Sequence, residues 1–200
     1  MPADVDVSRE TKATLKGFEA LLLKWNATIN LISRNTVDAA WSRHIEDSVQ
    51  LLPFLGSSTS IVDLGSGGGL PAIPLAIVTR EDHASRYFTL IESDRRKSEF
   101  LRTAIRTYGL NAEVITSRIE EAPAQNADLC MARALAPCTK LFGYAERHLA
   151  KEARCLFMKG ANLENELVDA RQTWSFSSTA HRSQTDQTAT ILEVEHLVRL

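Results

Sequence analysis

A glycine-dense segment near residue 65 most constrains what this chain can fold into. It reads as a short apolar strand, a turn holding four glycines in five residues, and the start of a helix (residues 62–76). Glycine adopts backbone conformations that a Cβ forbids, and it lets a ligand approach the main chain. The first N–H groups of the following helix have no partner within that helix. The segment therefore predicts a nucleotide-type pocket at the carboxyl ends of parallel strands. A plain turn without a ligand is disfavoured because so many glycines are costly.

Two cofactor classes compete for such a loop. The dinucleotide pattern G-x-G-x-x-G needs a third glycine for close packing of the helix, and Leu70 occupies that position here. The spacing is instead Asp63-x-Gly65-x-Gly67-x-Gly69, which looks like motif I of the S-adenosylmethionine-dependent methyltransferases. The phosphate-binding pattern G-x-x-x-x-G-K-[ST] is absent from the sequence.

A carboxylate at the next predicted strand end supports a nucleoside pocket. The segment 87–91 reads as a strand, and Glu92 follows it 27 positions after Gly65. An acid at the tip of the second strand is placed to accept hydrogen bonds from ribose hydroxyls. This feature is compatible with either cofactor, since both carry a ribose, and a solvated loop carboxylate is the alternative.

Strands and helices alternate after residue 60, which is typical of a doubly wound, mostly parallel α/β sheet. We predict a helix beginning after Ser8, a second helix over 36–55, and an antiparallel hairpin at the end of the chain (173–181 and 188–198). The predicted organisation is an N-terminal helical extension, 1–56, packed on a methyltransferase-type domain, 57–200. The predicted strands are 61–64, 87–91, 113–116, 129–132 and 154–158; the predicted helices between and after them are 70–78, 95–108, 137–150 and 163–172.

Composition and charge narrow the class of protein. The net charge is −2 and the pI about 6.2, so global charge gives no support for nucleic-acid binding. A basic cluster on the predicted helix 95–108 suits either a phosphate-binding surface or a solvated face. No apolar run is long enough to span a bilayer, and the first ten residues lack the apolar core of a signal peptide, so we expect a cytoplasmic location. Three cysteines without C-x-x-C spacing argue against a disulfide framework or a zinc site.

The order of several short motifs resembles one family of enzymes. The motifs are Lys24-Trp25-Asn26, Asn30-Leu31, Arg43-His44-Ile45-Glu46-Asp47-Ser48, the glycine loop with Leu70-Pro71-Ala72-Ile73-Pro74, Ile91-Glu92-Ser93, Lys97-Ser98-Glu99-Phe100-Leu101, Arg118-Ile119-Glu120-Glu121, Ala132-Arg133-Ala134-Leu135-Ala136 and Lys159-Gly160. This series, over about 25–160, closely resembles the ribosomal RNA small subunit methyltransferase G family, also called glucose-inhibited division protein B. R-H-I-x-D-S together with G-S-G-x-G-x-P is a specific combination, whereas G-x-G-x-G alone is not.

The resemblance implies a reaction and its partners. The family methylates N7 of one guanine, position 527 of bacterial 16S ribosomal RNA, with S-adenosylmethionine as donor. We therefore expect the small ribosomal subunit or its precursor as substrate, no membrane partner and a monomer. The family often has Gly-Phe-Pro-Gly, Asp and Ser-Arg-Ala where this chain has Gly69-Leu70-Pro71-Ala72, Glu92 and Ala132-Arg133-Ala134. These departures do not change the prediction that S-adenosylmethionine is the cofactor. They leave the individual contacts between the cofactor and the pocket residues less defined.

Site roles follow from the matched positions. We expect the cofactor to contact the glycine loop, with Asp63 orienting the loop or the amino-acid end, Glu92 on the ribose, and 118–120 bordering the adenine. Arg133 is a candidate for the methionine carboxylate or an RNA phosphate. Lys159 and His44, the latter together with Arg43, Asp47 and Ser48, are candidates for RNA contacts at the mouth of the pocket, next to the cofactor entrance. A solvent-facing lysine and a structural histidine are the alternatives. The cofactor-binding set is Asp63, Gly65, Gly67, Gly69, Leu70, Glu92, Ile119, Glu120 and Arg133.

Guanine N7 carries an available lone pair, so no general base is needed and none is assigned. Pro137-Cys138 is reminiscent of the nucleophile of cytosine-C5 methyltransferases, but Pro137 also fits the first turn of a helix. The Asn/Asp-Pro-Pro-Tyr signature of amino-group methyltransferases is absent. An NAD-dependent oxidoreductase, a non-catalytic RNA-binding module and a small-molecule methyltransferase are the competing hypotheses.

Overall fold

The computed structural model describes residue 5, residues 7–80 and residues 85–200. The elements are α1 Arg9–Asn26, α2 Asp47–Val49, β1 Ser60–Leu64, α3 Ala72–Val78, β2 Tyr87–Glu92, α4 Arg95–Tyr108, β3 Ala112–Thr116, β4 Ala127–Arg133, α5 Cys138–His148, β5 Leu149–Lys159, α6 Leu163–Ala170, β6 Trp174–Arg182 and β7 Thr190–Arg199. The predicted alternation of strands and helices is confirmed, with most boundaries within three residues. Among the elements after residue 60, the largest difference is β5, which begins five residues before the predicted strand because it pairs with β4 from Leu149 onward.

The seven strands form one sheet in the order β3-β2-β1-β4-β5-β7-β6. Strands β1 to β5 run parallel, with Val62 opposite Thr89 on β2 and opposite Cys130 on β4. Strands β6 and β7 pair antiparallel, and β7 joins the sheet antiparallel to β5. The predicted C-terminal hairpin is confirmed. Strands β2 and β3 are added on one side of β1, and β4 and β5 on the other, so the strand order reverses between β1 and β4. Open α/β sheets bind their ligands at this point.

Helix α1 begins as its sequence predicts and packs on the sheet domain. The hydroxyl of Ser8 accepts a hydrogen bond from the Thr11 N–H at 3.0 Å, a standard N-cap. On its apolar face Leu15, Phe18 and Leu22 are fully buried. The ring of Phe18 lies 6.3 Å from that of Phe100 and 6.4 Å from that of Tyr108, both on α4. The extension therefore shares one hydrophobic core with α3 and α4. The division of the chain at residue 56 stays a prediction.

The predicted second helix, 36–55, is wrong as a continuous α-helix. The segment instead contains a 3-10 turn, Arg34–Thr36, a π-helical turn, Trp41–Glu46, the short α2, and a second 3-10 turn, Leu52–Phe54. The apolar positions still face inward, since Ala40, Ile45 and Val49 are buried. A π turn widens the helix by one residue, and such turns frequently occur at functional sites. Here tertiary contacts to the polar side chains of this turn override the helical period.

Two apolar layers enclose the sheet. One lies between the sheet and α1, α3 and α4, and the other between the sheet and α5, α6 and the start of β6. Trp174 and Phe142 anchor the second layer edge to face, with ring centroids 6.3 Å apart. In the described part of the chain, no helix is long and apolar enough to cross a membrane.

Candidate cofactor cleft and active-site mouth

The glycine loop is fixed to the end of the neighbouring strand. The N–H groups of Gly65 and Ser66 both donate to the carbonyl of Ile91, at 2.9 and 3.1 Å. Gly65 has a φ of 67°, and a Cβ there would lie 2.6 Å from Leu135 Cδ1. The loop therefore needs glycine at this position for both conformation and space. It runs directly from β1 into the turn that precedes α3.

Gly67 and Gly69 serve different purposes in the loop. Both have positive φ values, 52° and 74°. A Cβ on Gly69 would lie 2.6 Å from Ile73 Cγ1 and 3.0 Å from Leu101, so this glycine allows close packing of the loop on α3 and α4. A Cβ on Gly67 would meet only the Gly65 carbonyl, at 3.8 Å, because Gly67 borders an open cleft. Gly67 is thus the position at which a ligand can approach the backbone.

Glu92 lies at the tip of β2, as predicted, and faces this cleft. Its Oε2 accepts the Gly67 N–H at 2.8 Å, and its Oε1 accepts the Asp94 N–H at 2.8 Å. Each carboxylate oxygen has two lone pairs, so both oxygens retain capacity for a further donor such as a ribose hydroxyl. The side chain is buried but lines the cleft. Its orientation is therefore set before any ligand binds.

The cleft has a volume of about 350 Å³ at the carboxyl ends of β1 to β4. Five predicted site residues line it, namely Gly65, Gly67, Glu92, Ile119 and Glu120. The sequence predicted no site role for its other walls, Ser93, Lys97, Ser117, Leu135, Ala136, Lys140 and Tyr144. Ser93, Ser117, Leu135 and Ala136 closely follow strand ends, which was the available signal. Lys97, Lys140 and Tyr144 lie on helices α4 and α5. The loop after β3 is held from outside, where His148 Nε2 lies 2.9 Å from the Ile119 carbonyl.

Asp63, Gly69 and Leu70 are buried, and neither they nor Arg133 are among the residues that line the cleft. Leu70 is buried in the core with α3. Asp63 is 1% exposed, and neither of its carboxylate oxygens has a hydrogen-bond partner in the described part of the chain. Burial raises the pKa of Asp63 to about 7, and the nearby Arg133 opposes that rise. An unpartnered buried carboxylate at this position fits a cationic ligand group such as an ammonium.

Arg133 ends β4 and is held by the N-terminal extension. Its Nη1 donates to Asp47 Oδ2 at 3.2 Å and to the Arg43 carbonyl at 3.3 Å, and its Nη2 lies 2.9 Å from His44 Nδ1. The side chain is 19% exposed. Burial lowers the pKa of Arg133, while Asp47 and Asp63 oppose that shift. We use the name mouth cluster for Arg43, His44, Asp47 and Arg133 together with Gln50 and residues 183–186, which hold Asp47 and Arg43.

The turn of the C-terminal hairpin completes the mouth cluster. Asp47 Oδ1 accepts hydrogen bonds from Thr185 Oγ1 at 2.5 Å and from Gln50 Nε2 at 2.8 Å. Gln50 Oε1 in turn accepts the Gln184 N–H at 2.8 Å. Asp186 pairs with Arg43 at 2.7 Å. Three segments distant in sequence (43–50, 133 and 183–186) therefore meet at the end of β4.

His44 is a neutral, buried member of this cluster. Since an arginine N–H can only donate, Nδ1 of His44 accepts from Arg133, and its Nε2–H donates to Thr36 Oγ1 at 2.8 Å. Burial, followed by the charges of Arg133 and Arg43, lowers its pKa to about 4. His44 thus orients Arg133 at neutral pH and carries no charge of its own.

Lys159 and Cys138 both have structural partners. Lys159 Nζ donates to the Ala136 carbonyl at 2.8 Å and pairs with Glu166 at 2.6 Å, and its side chain is 8% exposed. Cys138 begins α5 directly after Pro137, and its N–H donates to Glu166 Oε2 at 2.9 Å. Burial raises the pKa of the Cys138 thiol to about 12. A thiol with so high a pKa is a poor nucleophile, which favours the structural interpretation of Pro137-Cys138.

Comparisons with known proteins agree with this geometry. Residues 11–195 match the family model for rRNA small subunit methyltransferase G. A ribosomal RNA small subunit methyltransferase G of Cereibacter sphaeroides (strain ATCC 17025) is 46% identical over 98% of this chain and 95% of its own length. Among solved structures, a SAM-dependent methyltransferase from Aquifex aeolicus aligns with a TM-score of 0.59 at 14% identity, over 80% of this chain and 93% of its own. TYW2 of M. jannaschii, solved with AdoMet, gives 0.58 at 14%, over 87% and 80%.

The predictions of a doubly wound fold and of a methyltransferase are thereby confirmed. The two structural matches support the fold, and the sequence match supports the type of enzyme. The chain belongs to the rRNA small subunit methyltransferase G family.

Proposed function

We propose that this enzyme transfers the methyl group of S-adenosylmethionine to N7 of one guanine, position 527, of 16S ribosomal RNA in the small subunit or its precursor. The observation that carries the proposal is the glycine-loop cleft with Glu92 at its rim, in a chain of this family. We further propose that the chain acts as a monomer in the cytoplasm, with the extension 1–56 packed on the catalytic domain 57–200.

The cleft residues fit the proposed cofactor. Glu92 offers free lone pairs to the ribose hydroxyls, and Ile119 supplies an apolar surface beside Glu120 for the adenine. Asp63 offers an unpaired carboxylate to the amino-acid end. Because Arg133 is mostly buried and electrostatically coupled to Asp63, we assign it to the methionine carboxylate in preference to an RNA phosphate.

The residues at the mouth also fit a reaction without a general base. S-adenosylmethionine supplies a methyl carbon made electrophilic by its sulfonium. Guanine N7 attacks that carbon with its lone pair while the carbon–sulfur bond breaks, and the positive charge passes from sulfur to the purine ring. No proton has to be removed. Among the described residues that line the cleft there is no histidine or cysteine, and His44 is engaged on both ring nitrogens.

Positioning is then the main contribution of the chain. Asp47 and His44 hold Arg133, and Arg133 would hold the methionine end so that sulfur, methyl and N7 lie in line. Lys159 would support the mouth indirectly, by fixing the Ala136 carbonyl in the segment that follows Arg133. Ala134, between them, has a φ of 49°, an uncommon value for alanine that is consistent with a constrained functional segment.

The test is methyl transfer to small subunits that lack the native modification. Purified enzyme and labelled S-adenosylmethionine should yield one N7-methylguanine at a single site, mapped by mass spectrometry of RNA digests. Glu92→Ala should bind the cofactor more weakly and reduce transfer. Label on another base, or transfer to a small molecule but to no RNA, would contradict the proposal.

A further inference from the structure

A second cleft, which the proposed methyl transfer leaves unused, lies between the end of α1 and the first turn of α4. Its volume is about 390 Å³ and its surface is predominantly apolar. Six residues line it: Lys24, Trp25, Thr28, Ile29, Arg96 and Glu99. Four of them belong to helix α1 and the turn after it, and two belong to α4. We call it the α1–α4 cleft.

Trp25 is the main aromatic wall of the α1–α4 cleft, and it is rigidly held. Its ring packs against Phe100 with centroids 5.7 Å apart and planes at 59°, yet the side chain remains partly exposed. The adjacent Asn26 accepts the N–H groups of Leu31 and Ile32 at 2.9 and 3.0 Å. The end of α1 and the turn after it are thereby fixed. An ordered, partly exposed indole is suited to stacking against a planar ligand.

The rim of the α1–α4 cleft is positively charged. Lys24 and Arg96 are exposed, and no ion pair in the described part of the chain involves either of them. The acid of the cleft, Glu99, lies 3.9 Å from Arg106, which offsets its charge. Arg95 adds a further exposed cation beside Arg96. An apolar slot with a cationic rim is complementary to a nucleic-acid strand, in which planar bases alternate with phosphates.

The α1–α4 cleft adjoins the cofactor cleft. Lys97, the residue after Arg96, lines the cofactor cleft. The segment that follows Ile29 crosses the glycine loop, since the Leu31 carbonyl lies 3.2 Å from where a Cβ on Gly68 would be. Both clefts therefore lie at the carboxyl ends of the strands.

We propose that an unpaired base of the ribosomal RNA strand flanking the target guanine docks in the α1–α4 cleft, between the indole of Trp25 and the guanidinium of Arg96. The inference rests on the proposed function, because it takes the RNA substrate as given. Proteins read single-stranded RNA by stacking splayed bases on aromatic rings and arginine planes. The cleft thus contributes to substrate affinity and has no part in the chemical step.

Binding of small subunits lacking the modification tests the proposal, by filter binding with S-adenosylhomocysteine present. We expect Trp25→Leu and Arg96→Glu each to weaken the Kd for subunits about tenfold, with the Kd for S-adenosylmethionine unchanged. The matched control, Lys12→Glu, reverses an exposed charge near the start of α1, away from the cleft, and should stay within about twofold of wild type. Because Arg96 is exposed, its variant remains informative even if Trp25→Leu fails to fold.

Ultraviolet crosslinking provides the second readout. The peptide that contains Trp25 should carry a nucleotide adduct after irradiation of the complex. In Arg96→Glu, at an equal protein concentration below the Kd, the yield of the adduct should fall about tenfold. An unchanged Kd for subunits in Arg96→Glu, or a crosslink from this peptide to a ribosomal protein, would overturn the proposal. A nucleotide adduct at Trp25 together with absent methyl transfer would support this cleft as an RNA site and reject the proposed reaction.

Discussion

The cofactor cleft and the mouth cluster lie at the same end of the sheet but are built in opposite ways. The cleft is formed largely by backbone groups of one short loop and by the side chain of Glu92. The Gly67 N–H donates to Glu92 and so orients it. The mouth cluster consists of side chains from three distant segments, joined through Asp47. The first region depends on local conformation, and the second depends on correct tertiary assembly. Cofactor binding and methyl transfer should therefore respond differently to substitution.

We expect the largest effect from a substitution that blocks the cofactor cleft and leaves the mouth cluster intact. Gly67→Arg places a side chain in the cleft and imposes a positive φ on a residue with a Cβ, which costs about 1–2 kcal/mol. We expect cofactor affinity to fall at least about 100-fold, because the side chain fills the approach of the ligand to the backbone. Isothermal titration with S-adenosylmethionine measures it.

Gly109→Arg is the matched control for that experiment. Gly109 also has a positive φ, 59°, and no atom within 4 Å of a Cβ, but it ends α4 far along the chain from the loop. It should lose similar stability and keep cofactor affinity near that of wild type. Equal loss of cofactor affinity in both variants would show that backbone strain, and not occupation of the cleft, is responsible.

We expect the next largest effect, on stability and on methyl transfer, from a substitution that disrupts the mouth cluster. Asp47→Ala leaves the mostly buried Arg133 without its carboxylate and removes the acceptor of Thr185, which should cost about 3 kcal/mol of unfolding free energy. Single-turnover methyl transfer should slow by one to two orders of magnitude, while cofactor affinity falls much less than in Gly67→Arg. Chemical denaturation and rapid-quench kinetics measure the two quantities.

Asp186→Asn serves as the control for Asp47→Ala, since it removes the charge of the Arg43–Asp186 pair at the more exposed edge of the cluster and keeps an oxygen that can accept from Thr188. It should change stability by no more than about 1 kcal/mol and leave transfer nearly unchanged. Recovery of the transfer rate in Asp47→Asn would support positioning through hydrogen bonds. Wild-type kinetics in Asp47→Ala would remove the mouth cluster from the mechanism.

A moderate effect should appear in the pH dependence of cofactor binding. Burial raises the pKa of Asp63 to about 7 from an ordinary value of 3.8, so the free enzyme binds a proton there that an ammonium ligand would displace. Affinity for S-adenosylmethionine should therefore rise as pH increases from about 6 to 8, by roughly tenfold. Asp63→Asn should bind weakly at every pH and lack this slope. A slope retained in Asp63→Asn would assign it to another group.

The raised pKa of Asp63 should also make the folded protein less stable as pH rises, whereas cofactor binding becomes stronger. Since the folded-state pKa of Asp63 lies above its ordinary value, its contribution is fully present below about pH 4 and is lost as pH rises through 7. For His44 the pKa falls from 6.5 to about 4, so the folded state loses stability as pH falls through this range. Denaturation of Asp63→Asn and His44→Gln across pH 4–8 separates the two contributions.

The smallest effect should come from the hairpin turn. Thr185→Val keeps the shape of the side chain but removes the hydrogen bond to Asp47 and the longer contacts of the same hydroxyl with Gln50 and Ser183. We expect a loss of about 1 kcal/mol of stability. Methyl transfer should slow only a few-fold, because Arg133 and Gln50 still hold Asp47. A loss as large as that of Asp47→Ala would make Thr185 the principal anchor of the mouth cluster.

The two regions also differ in how well sequence predicted them. The glycine loop and Glu92 are adjacent to predicted strand ends, and their spacing alone placed them at the cleft. Asp47 was expected beside His44 near the cofactor entrance, but its role in holding Arg133 was not predicted. Gln50 and Thr185 were not noted at all, because their partners are 133 to 138 residues away along the chain. The π turn that brings His44 and Asp47 toward Arg133 follows a helical apolar period, so the sequence predicted an α-helix there.

The division between the two regions is tested most directly by a crystal structure of the enzyme with S-adenosylhomocysteine bound. We predict ribose hydroxyls within hydrogen-bond distance of Glu92 and the homocysteine carboxylate within reach of Arg133, with the contacts of Arg133 to His44 and Asp47 retained. A ligand seated outside the glycine-loop cleft, or one that leaves Glu92 and Arg133 uncontacted, would contradict the account.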